Sequence, residues 1–397
     1  MATQVRISRT APLPDRVRLE RFRRYPEVGP RPLFFSGGTS LREASRKLVD
    51  YTHNSIHLIS PFDSGGSSAR LREAFGMLAV GDLRNRLMAL ADTSVRGQPA
   101  IFDLFSYRFP QQGDRVELER RLEQMVRGED AMVAAVKHPM NSIIQAHLRS
   151  FAEAMPAGFD LRGANIGNLI LSGGYLQQGR EIDPVVYLFS RLVEVRGHVR
   201  PTSTRDLHLA VDLADGTTLV GQHLFTGKEV PPIQSPIERL RLVEKEPPHG
   251  PVEIEINERV REMIGKADLI CFPMGSFYSS VLANLLPRGV GRAVAARDVP
   301  KVYIPNPGPD PEQIGLSLSR GAERLLGLLA ADCPAHTPRE RLLQLVLLDE
   351  EFARHNEEEV KRIAGLGLEP VRVPLITAAT HPHFEPSRLV ETLLSMA

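Results

Sequence analysis

The stretch PLFFSGGTSLREASRKLVDY, residues 32–51, joins a short apolar run to a glycine-rich turn and then to a helical pattern. After the turn, Ala44 and Leu48 recur at helical spacing. Ser40 stands three residues before Glu43, which is the spacing of a capping box. The sequence therefore predicts a strand, a glycine turn and a helix that Ser40 caps.

The same pattern recurs further along the chain. Further short apolar runs end in glycine, proline or serine, and they span residues 55–60, 267–272, 301–304, 343–348 and 370–374. Apolar strands that alternate with helices are typical of a parallel sheet with helices on both faces. We therefore expect an α/β protein with a Rossmann-like, doubly wound, mostly parallel sheet.

Two regions interrupt the alternation of strands and helices. Residues from about 112 to 165 are helical by pattern and predict a helical insertion. Residues from about 193 to 243 contain alternating runs on either side of Asp215-Gly216, which favours a hairpin in a small antiparallel β subregion. We expect one domain over residues 32–397, preceded by an extension over residues 1–31.

The extension is rich in proline and arginine. Its arginines are Arg6, Arg9, Arg16, Arg18, Arg21, Arg23 and Arg24. Such a segment could be an arm that binds an anion or a partner, or a solvated extension that wraps the surface.

Composition narrows the class of protein. The formal net charge of +1 gives no general basic surplus for nucleic acid, so we expect no nucleic-acid partner. Cys271 and Cys333 are too few for a disulfide framework, which favours a reducing compartment and a cytoplasmic location. No apolar run approaches the ~20 residues that span a bilayer, and no secretory signal is evident, so no membrane association is expected.

Polar loops follow three of the predicted strands, where parallel sheets bind ligands. Candidate ligand-binding residues in the first two loops and the helix after them are Gly37, Gly38, Thr39, Ser40, Ser64, Gly65, Gly66, Ser67, Ser68, Asp82 and Asn85. Glycine lets a backbone N–H at a helix start approach a phosphate closely, although the first loop could also be a simple tight turn.

Charged residues beside these loops are the candidates for catalysis. Asp63 or Asp82 could hold Mg²⁺ or accept a ribose or substrate hydroxyl, and Arg84 could neutralise phosphate charge. Asp82 could alternatively cap a helix, and Arg84 could alternatively form a surface ion pair.

The third loop, at Gly275, Ser276, Tyr278 and Ser279, could hold a second phosphate. Asn168 and Asn306 could contact a base or sugar, or could serve turns. A metal at His381 and His383 lacks a third ligand, so a loop is favoured there. For His198, His208 and His223, in the predicted hairpin region, a structural role is preferred.

Taken in order, the loops resemble a known family, the 2-phospho-L-lactate transferase (CofD-like) superfamily, and above all its bacterial gluconeogenesis-factor branch. That branch carries GGGTG, DDGGSSGRLR, PGDxRN, LFxYRF, GNL and GPGSLYTS segments. The matching segments here are SGGTS (36–40), DSGGSSARLR (63–72), VGDLRN (80–85), LFSYRF (104–109), GNL (167–169) and PMGSFYSS (273–280). Ser36 and Ser40 replace the outer glycines of the first segment, and Ser64 replaces the second aspartate of the next.

The resemblance implies a Rossmann-like fold, a nucleotide-type ligand and a homodimer. In the transferase branch, a phospholactyl-type group passes from a nucleotide-activated donor to a deazaflavin precursor with Mg²⁺, and Asp63 corresponds to an acceptor contact. In the gluconeogenesis-factor branch, the protein binds a nucleotide sugar and regulates carbon or cell-wall metabolism. The resemblance thus implies either a transferase of a phosphoryl-linked group or a non-catalytic regulator, and a binding scaffold with a degenerate site is a third reading.

Overall fold

The computed structural model describes residues 10–92 and 98–397. Its strands are β1 (Pro32–Ser36), β2 (Ile56–Ile59), β3 (His198–Pro201), β4 (Leu207–Leu213), β5 (Thr218–Val220), β6 (Ile237–Glu244), β7 (Leu269–Phe272), β8 (Lys301–Tyr303), β9 (Leu345–Asp349) and β10 (Glu369–Val373). Seven of these strands form one parallel sheet in the order β10-β9-β8-β7-β1-β2-β3, and β5-β4-β6 form a small antiparallel sheet. The predicted α/β class and the doubly wound parallel sheet are confirmed.

Helices cover the large sheet and fill the segment between β2 and β3. They are α1 (Arg16–Arg24), α2 (Arg42–Leu48), α3 (Gly66–Phe75), α4 (Gly81–Ala89), α5 (Pro99–Ser106), α6 (Arg115–Arg127), α7 (Ala131–Ala134), α8 (Met140–Ala154), α9 (Ile166–Gln177), α10 (Ile182–Leu192), α11 (Glu258–Gly265), α12 (Val290–Ala296), α13 (Leu318–Ala331), α14 (Glu350–His355), α15 (Glu357–Gly365) and α16 (Pro386–Met396).

The chain reverses its direction of travel across the sheet between β1 and β7. It runs outward from β1 to β2 and β3, returns to the other side of β1 as β7, and then continues to β10. All five residues of β1 and all four of β7 are buried, because helices cover both faces of these central strands. The carboxyl ends of β1 and β7 therefore flank the switch point of a doubly wound sheet, where ligands bind in such folds.

The residues from His198 to Pro201 were grouped with the antiparallel region in the sequence analysis, and that grouping is wrong. They form β3, which pairs in parallel with β2 at the edge of the large sheet. The hairpin itself is present, with β4 and β5 antiparallel on either side of the Asp215-Gly216 turn. The sequence of a short, partly apolar edge strand does not indicate which strand it pairs with. Only the folded structure shows which of the two sheets contains it.

The helical region is larger than the predicted insertion, since helices α3 to α10 all lie between β2 and β3. The helix α9 was not included in the predicted insertion. It is buried on almost every side, so its sequence shows no amphipathic period. The predicted cap at Ser40 is also wrong. The helix α2 begins at Arg42, and its N-cap position is occupied by Leu41, which provides no side-chain cap.

The part of the N-terminal extension that the structure describes is ordered against the C-terminal helix. Leu19 of α1 is buried, and the Asp15 N–H donates to the Ser395 hydroxyl of α16 at 2.8 Å. Arg6 and Arg9 lie outside the described residues.

Candidate functional site

A cleft of about 290 Å³ opens at the switch point of the large sheet. It lies where the loops after β1, β2 and β7 meet the start of α4. The predicted site residues that line it are Gly37, Gly38, Thr39, Ser40, Asp63, Gly65, Gly66, Ser67, Ser68, Asp82, Arg84, Asn85, Asn168, Gly275 and Ser276. Residues far apart in sequence are thus brought to one edge by the topology.

A buried arginine fixes the first loop. Arg86 of α4 is fully buried and donates to the carbonyls of Gly37, at 2.9 Å, and Leu41, at 3.0 Å. A Cβ atom at Gly38 would collide with the Asp82 carboxylate, so glycine is required for this close approach. The loop and the start of α4 are therefore packed directly against each other.

A second buried arginine fixes the second loop to the small sheet. Arg72 of α3 donates to the Asp63 carbonyl at 3.0 Å and to the Leu207 carbonyl at 2.6 Å. It also forms a buried ion pair with Asp206 at 2.6 Å. The Asp63 carboxylate accepts the Gly65 N–H at 3.1 Å. Arg72 thus holds the loop through the backbone carbonyl of Asp63 and not through its carboxylate. The other carboxylate oxygen of Asp63 forms no hydrogen bond within the described part of the chain.

Asp63 and Asp82 place two carboxylates in the same cleft. Burial, followed by the neighbouring charge of Asp63, raises the pKa of Asp82 from 3.8 to about 6. Lys228, Arg86 and the Gly38 N–H oppose this shift by favouring the ionised form. The helix-cap alternative for Asp82 is wrong, since α4 begins after Val80 without a side-chain cap.

Arg84 faces the cleft from α4 and is buried, with 9% of its surface exposed. Its guanidinium donates to Asn85 Oδ1 at 2.5 Å and to the Phe105 carbonyl at 3.5 Å, while Nε has no partner among the described residues. Burial and the positive charges of Arg108 and Arg42 lower its pKa to about 10. The surface ion-pair alternative for Arg84 is therefore wrong. This buried cation, next to Arg108, is suited to an anion instead.

The third loop is held by two carboxylates of the chain itself. Asp310 accepts the Phe277 N–H at 2.9 Å, and Glu312 accepts the N–H groups of Tyr278 and Ser279 at 2.9 and 2.8 Å. Burial, followed by the charge of Asp310, raises the pKa of Glu312 to about 7. The N–H groups of Tyr278 and Ser279, which the sequence analysis assigned to a second phosphate, are thus already engaged within the protein.

Four predicted ligand-binding residues lie behind the cleft and not in its lining: Ser64, Tyr278, Ser279 and Asn306. The Tyr278 hydroxyl donates to the Ile237 carbonyl at 3.2 Å. Asn306 bonds both the N–H and the carbonyl of Gly275, at 2.8 and 2.6 Å. These residues support the loops because their polar groups are directed into the protein.

Several cleft residues were missed from the sequence. They are Ser36, Leu41, Gly81, Arg108, Gln222, His223, Thr226, Lys228, Glu229, Met274 and Ser280. Most of the charged ones lie on the loop after β5, which folds back over the second loop. Arg108 lies within the LFSYRF segment and could have been found there, but nothing local in sequence connects residues 222–229 to Asp63.

The described residues contain no group of three or more acidic, histidine or cysteine side chains able to hold a metal ion. Asp63 and Asp82 nevertheless suit Mg²⁺, which binds one or two carboxylates and completes its shell with phosphate oxygens and water. The buried Asn168 Oδ1 has no hydrogen-bond partner among the described residues and adds an acceptor to this wall. The donor set thus fits a magnesium ion that a phosphorylated ligand brings or shares.

A family model described as 2-phospho-L-lactate transferase CofD matches residues 33–380. The chain belongs to the CofD family. The chain is also 29% identical over 278 residues to a Nostoc sp. protein that carries the provisional name gluconeogenesis factor, and the match covers 70% of this chain and 47% of the relative. The chain therefore spans about half the length of that relative.

Two further similar proteins match over more of both chains. The gluconeogenesis factor of Bacillus subtilis is 25% identical over 360 residues, which is 88% of this chain and 92% of that protein. A crystal structure of a UPF0052 family member from Bacillus halodurans superposes with a TM-score of 0.66 at 23% identity, over 92% of this chain and 99% of the other. That likeness concerns the fold. In the described part of this CofD protein, no helix is long and apolar enough to cross a membrane.

Proposed function

We propose that this CofD-family protein binds a nucleotide-type diphosphate in the switch-point cleft and transfers a phosphoryl-linked group from it to a hydroxyl acceptor. The observation that carries the proposal is the pairing of Asp63 and Asp82 in the same cleft as the buried cation Arg84. Carboxylates that hold a metal, next to arginines that neutralise phosphate, are the arrangement that phosphoryl transfer requires.

In this proposal, the chain's own residues position the ligand and accept the proton. Arg84 and Arg108 bind the phosphate oxygens, and Asp63 receives the proton of the acceptor hydroxyl as its oxygen forms the new bond to phosphorus. The bond from phosphorus to the nucleotide's leaving oxygen breaks in the same step. Bound Mg²⁺ would stabilise the charge that develops on the transferred group.

A thermal-shift screen tests the binding step. The purified protein is heated with GTP, GDP, UDP-N-acetylglucosamine, NAD or a deazaflavin precursor, each with and without Mg²⁺. A ligand at about 100 times its dissociation constant should add ~2.7 kcal/mol to the free energy of unfolding. Turnover of the ligand that binds is then followed in the wild type and in Asp63→Asn. Loss of turnover with binding retained supports the assigned role, and unchanged turnover contradicts it.

The second candidate function is a non-catalytic regulator that senses a nucleotide sugar. It is favoured by the names of the curated relatives, which are gluconeogenesis factors, and by Ser64, which leaves the second loop with one carboxylate. Stabilisation by a nucleotide sugar without chemical conversion supports this candidate, and product formation excludes it. A homodimer in the cytoplasm is proposed for either function, and its mass is measured by light scattering.

A further inference from the structure

A serine–histidine contact joins the second loop to the small antiparallel sheet. Ser64 Oγ lies 2.9 Å from Nδ1 of His223 and accepts the His223 backbone N–H at 3.2 Å. The Ser64 N–H donates to Gln222 Oε1 at 3.3 Å. Ser64 is buried, whereas the His223 ring lines the cleft. The contact thus places an imidazole in the lining of the cleft. The sequence analysis assigned no histidine to this site.

The hydrogen bonds of Ser64 determine which ring nitrogen is left for a ligand. Its oxygen already accepts one N–H, and among the described residues Nδ1 is the acceptor within reach of its hydroxyl proton. A buried hydroxyl donates its proton where an acceptor is available, so Nδ1 is the unprotonated nitrogen. The neutral ring then carries its proton on Nε2, which has no protein partner in the described part of the chain.

The same wall of the cleft carries a free cation. Lys228, five residues after His223, lines the cleft and forms no ion pair with any described residue. Its charge favours the ionised forms of Asp82, Asp310 and Glu312. An N–H donor next to an unpaired ammonium group is suited to an anionic oxygen. Arg84 and Arg108 line the same cleft and provide a second cationic group.

We propose that His223, oriented by Ser64, donates its Nε2–H to a phosphate oxygen of the ligand on the small-sheet wall, while Arg84 and Arg108 hold the other phosphate. This inference rests on the proposed diphosphate-binding function. It assigns His223 as a ligand-contacting residue and Ser64 as its positioning residue. The phosphates of the ligand are thereby expected to span the cleft from α4 to the loop after β5.

Two substitutions at one position separate a ligand contact from a structural contact. His223→Asn keeps a polar group near the position of Nδ1, and so keeps the bond to Ser64, but removes Nε2. His223→Gln places its amide nearer the position of Nε2 and gives up the contact with Ser64. If the ring binds phosphate, Asn weakens binding about tenfold or more, and Gln retains the greater share of affinity. If the ring only connects two loops, Gln lowers thermal stability more than Asn, and binding is unchanged in both.

The test is isothermal titration calorimetry of the full chain with inorganic pyrophosphate and MgCl₂, with thermal unfolding measured on the same samples. A wild type that binds pyrophosphate while His223→Asn binds equally well overturns the inference and leaves the proposed function standing. A wild type that binds neither pyrophosphate nor any nucleotide in the screen overturns both. Nitrogen-15 spectra of histidine-labelled protein add a ligand-free check, since a proton found on Nδ1 of His223 would contradict the argument.

Discussion

Asp82→Asn tests the electrostatics of the cleft without any ligand. The folded protein raises the pKa of Asp82 from 3.8 to about 6, chiefly by burial and then by repulsion from Asp63. A rise of this size corresponds to a penalty of at most about 3 kcal/mol for the ionised carboxylate. The partial exposure of Asp82 in the cleft wall makes this an upper bound.

The sign of the effect follows from the direction of the shift. Below a pH of about 4, Asp82 is protonated in both the folded and the unfolded chain and costs nothing. As the pH rises from 4 to 6, the unfolded chain ionises first, so the free energy of unfolding falls. Above pH 6 the loss is complete. An asparagine does not ionise, so Asp82→Asn should become more stable relative to the wild type as the pH rises, by up to about 3 kcal/mol.

Urea denaturation followed by circular dichroism at pH 4.5, 6 and 7.5 measures this difference. The matched control is Asp103→Asn, because Asp103 is exposed and forms no ion pair among the described residues. Taking the variant-minus-wild-type difference removes the contribution of other titrating groups, such as Glu312. A difference that stays flat across this pH range for Asp82→Asn, as it should for the control, would refute the assignment of a strained carboxylate at this position.

Three further outcomes follow from the same geometry. Mg²⁺ affinity, measured by calorimetry with pyrophosphate present, should fall as the pH drops below 6, because the Asp82 carboxylate must release its proton to bind metal. An affinity that does not change with pH would exclude Asp82 as a metal ligand. Gly38→Ala should lower both the melting temperature and the affinity for pyrophosphate, because its Cβ collides with the Asp82 carboxylate. The control Gly327→Ala lies within a helix and has open space around it, so it should be neutral or stabilising by up to ~1 kcal/mol. Arg72→Met should reduce the free energy of unfolding in urea by about 3 kcal/mol, because the Asp63 and Leu207 carbonyls lose their donor and Asp206 keeps only its ion pair with Lys245. A loss below 1 kcal/mol would mean that Arg72 does not hold the second loop.

The sequence was sufficient for the sheet because its central strands are apolar runs that end in glycine. The strand β1 and the turn after it could be read directly, and the order of such units predicts a doubly wound sheet. By contrast, β3 has only four residues, of which the last three are buried, so its local pattern does not distinguish an edge of one sheet from a strand of the other. Its assignment depends on the parallel register between Ile56 and His198, which only the folded chain shows.

The candidate site was predictable where its residues lie on the strand-to-helix loops, and not where it depends on contacts across the fold. Gly38 and Asp63 belong to recognisable loops. His223 and Lys228 lie on a loop whose sequence gives no sign of proximity to Asp63, because Arg72 and Ser64 determine that proximity through three-dimensional contacts. The hydrogen bond from the Ser279 N–H to Glu312 could not be predicted either, because the acceptor lies 33 residues away in sequence.

The role of the loops therefore differs from the one their glycines suggest. Free N–H groups at helix starts bind anions, but here the Gly65 N–H donates to Asp63, and the N–H groups of Phe277 and Tyr278 donate to Asp310 and Glu312. A phosphate entering the cleft would meet carboxylates that repel it unless a cation lies between them. We therefore expect binding to depend on the cationic side chains of the cleft and on Mg²⁺ at the carboxylates, and not on the backbone of the loops alone.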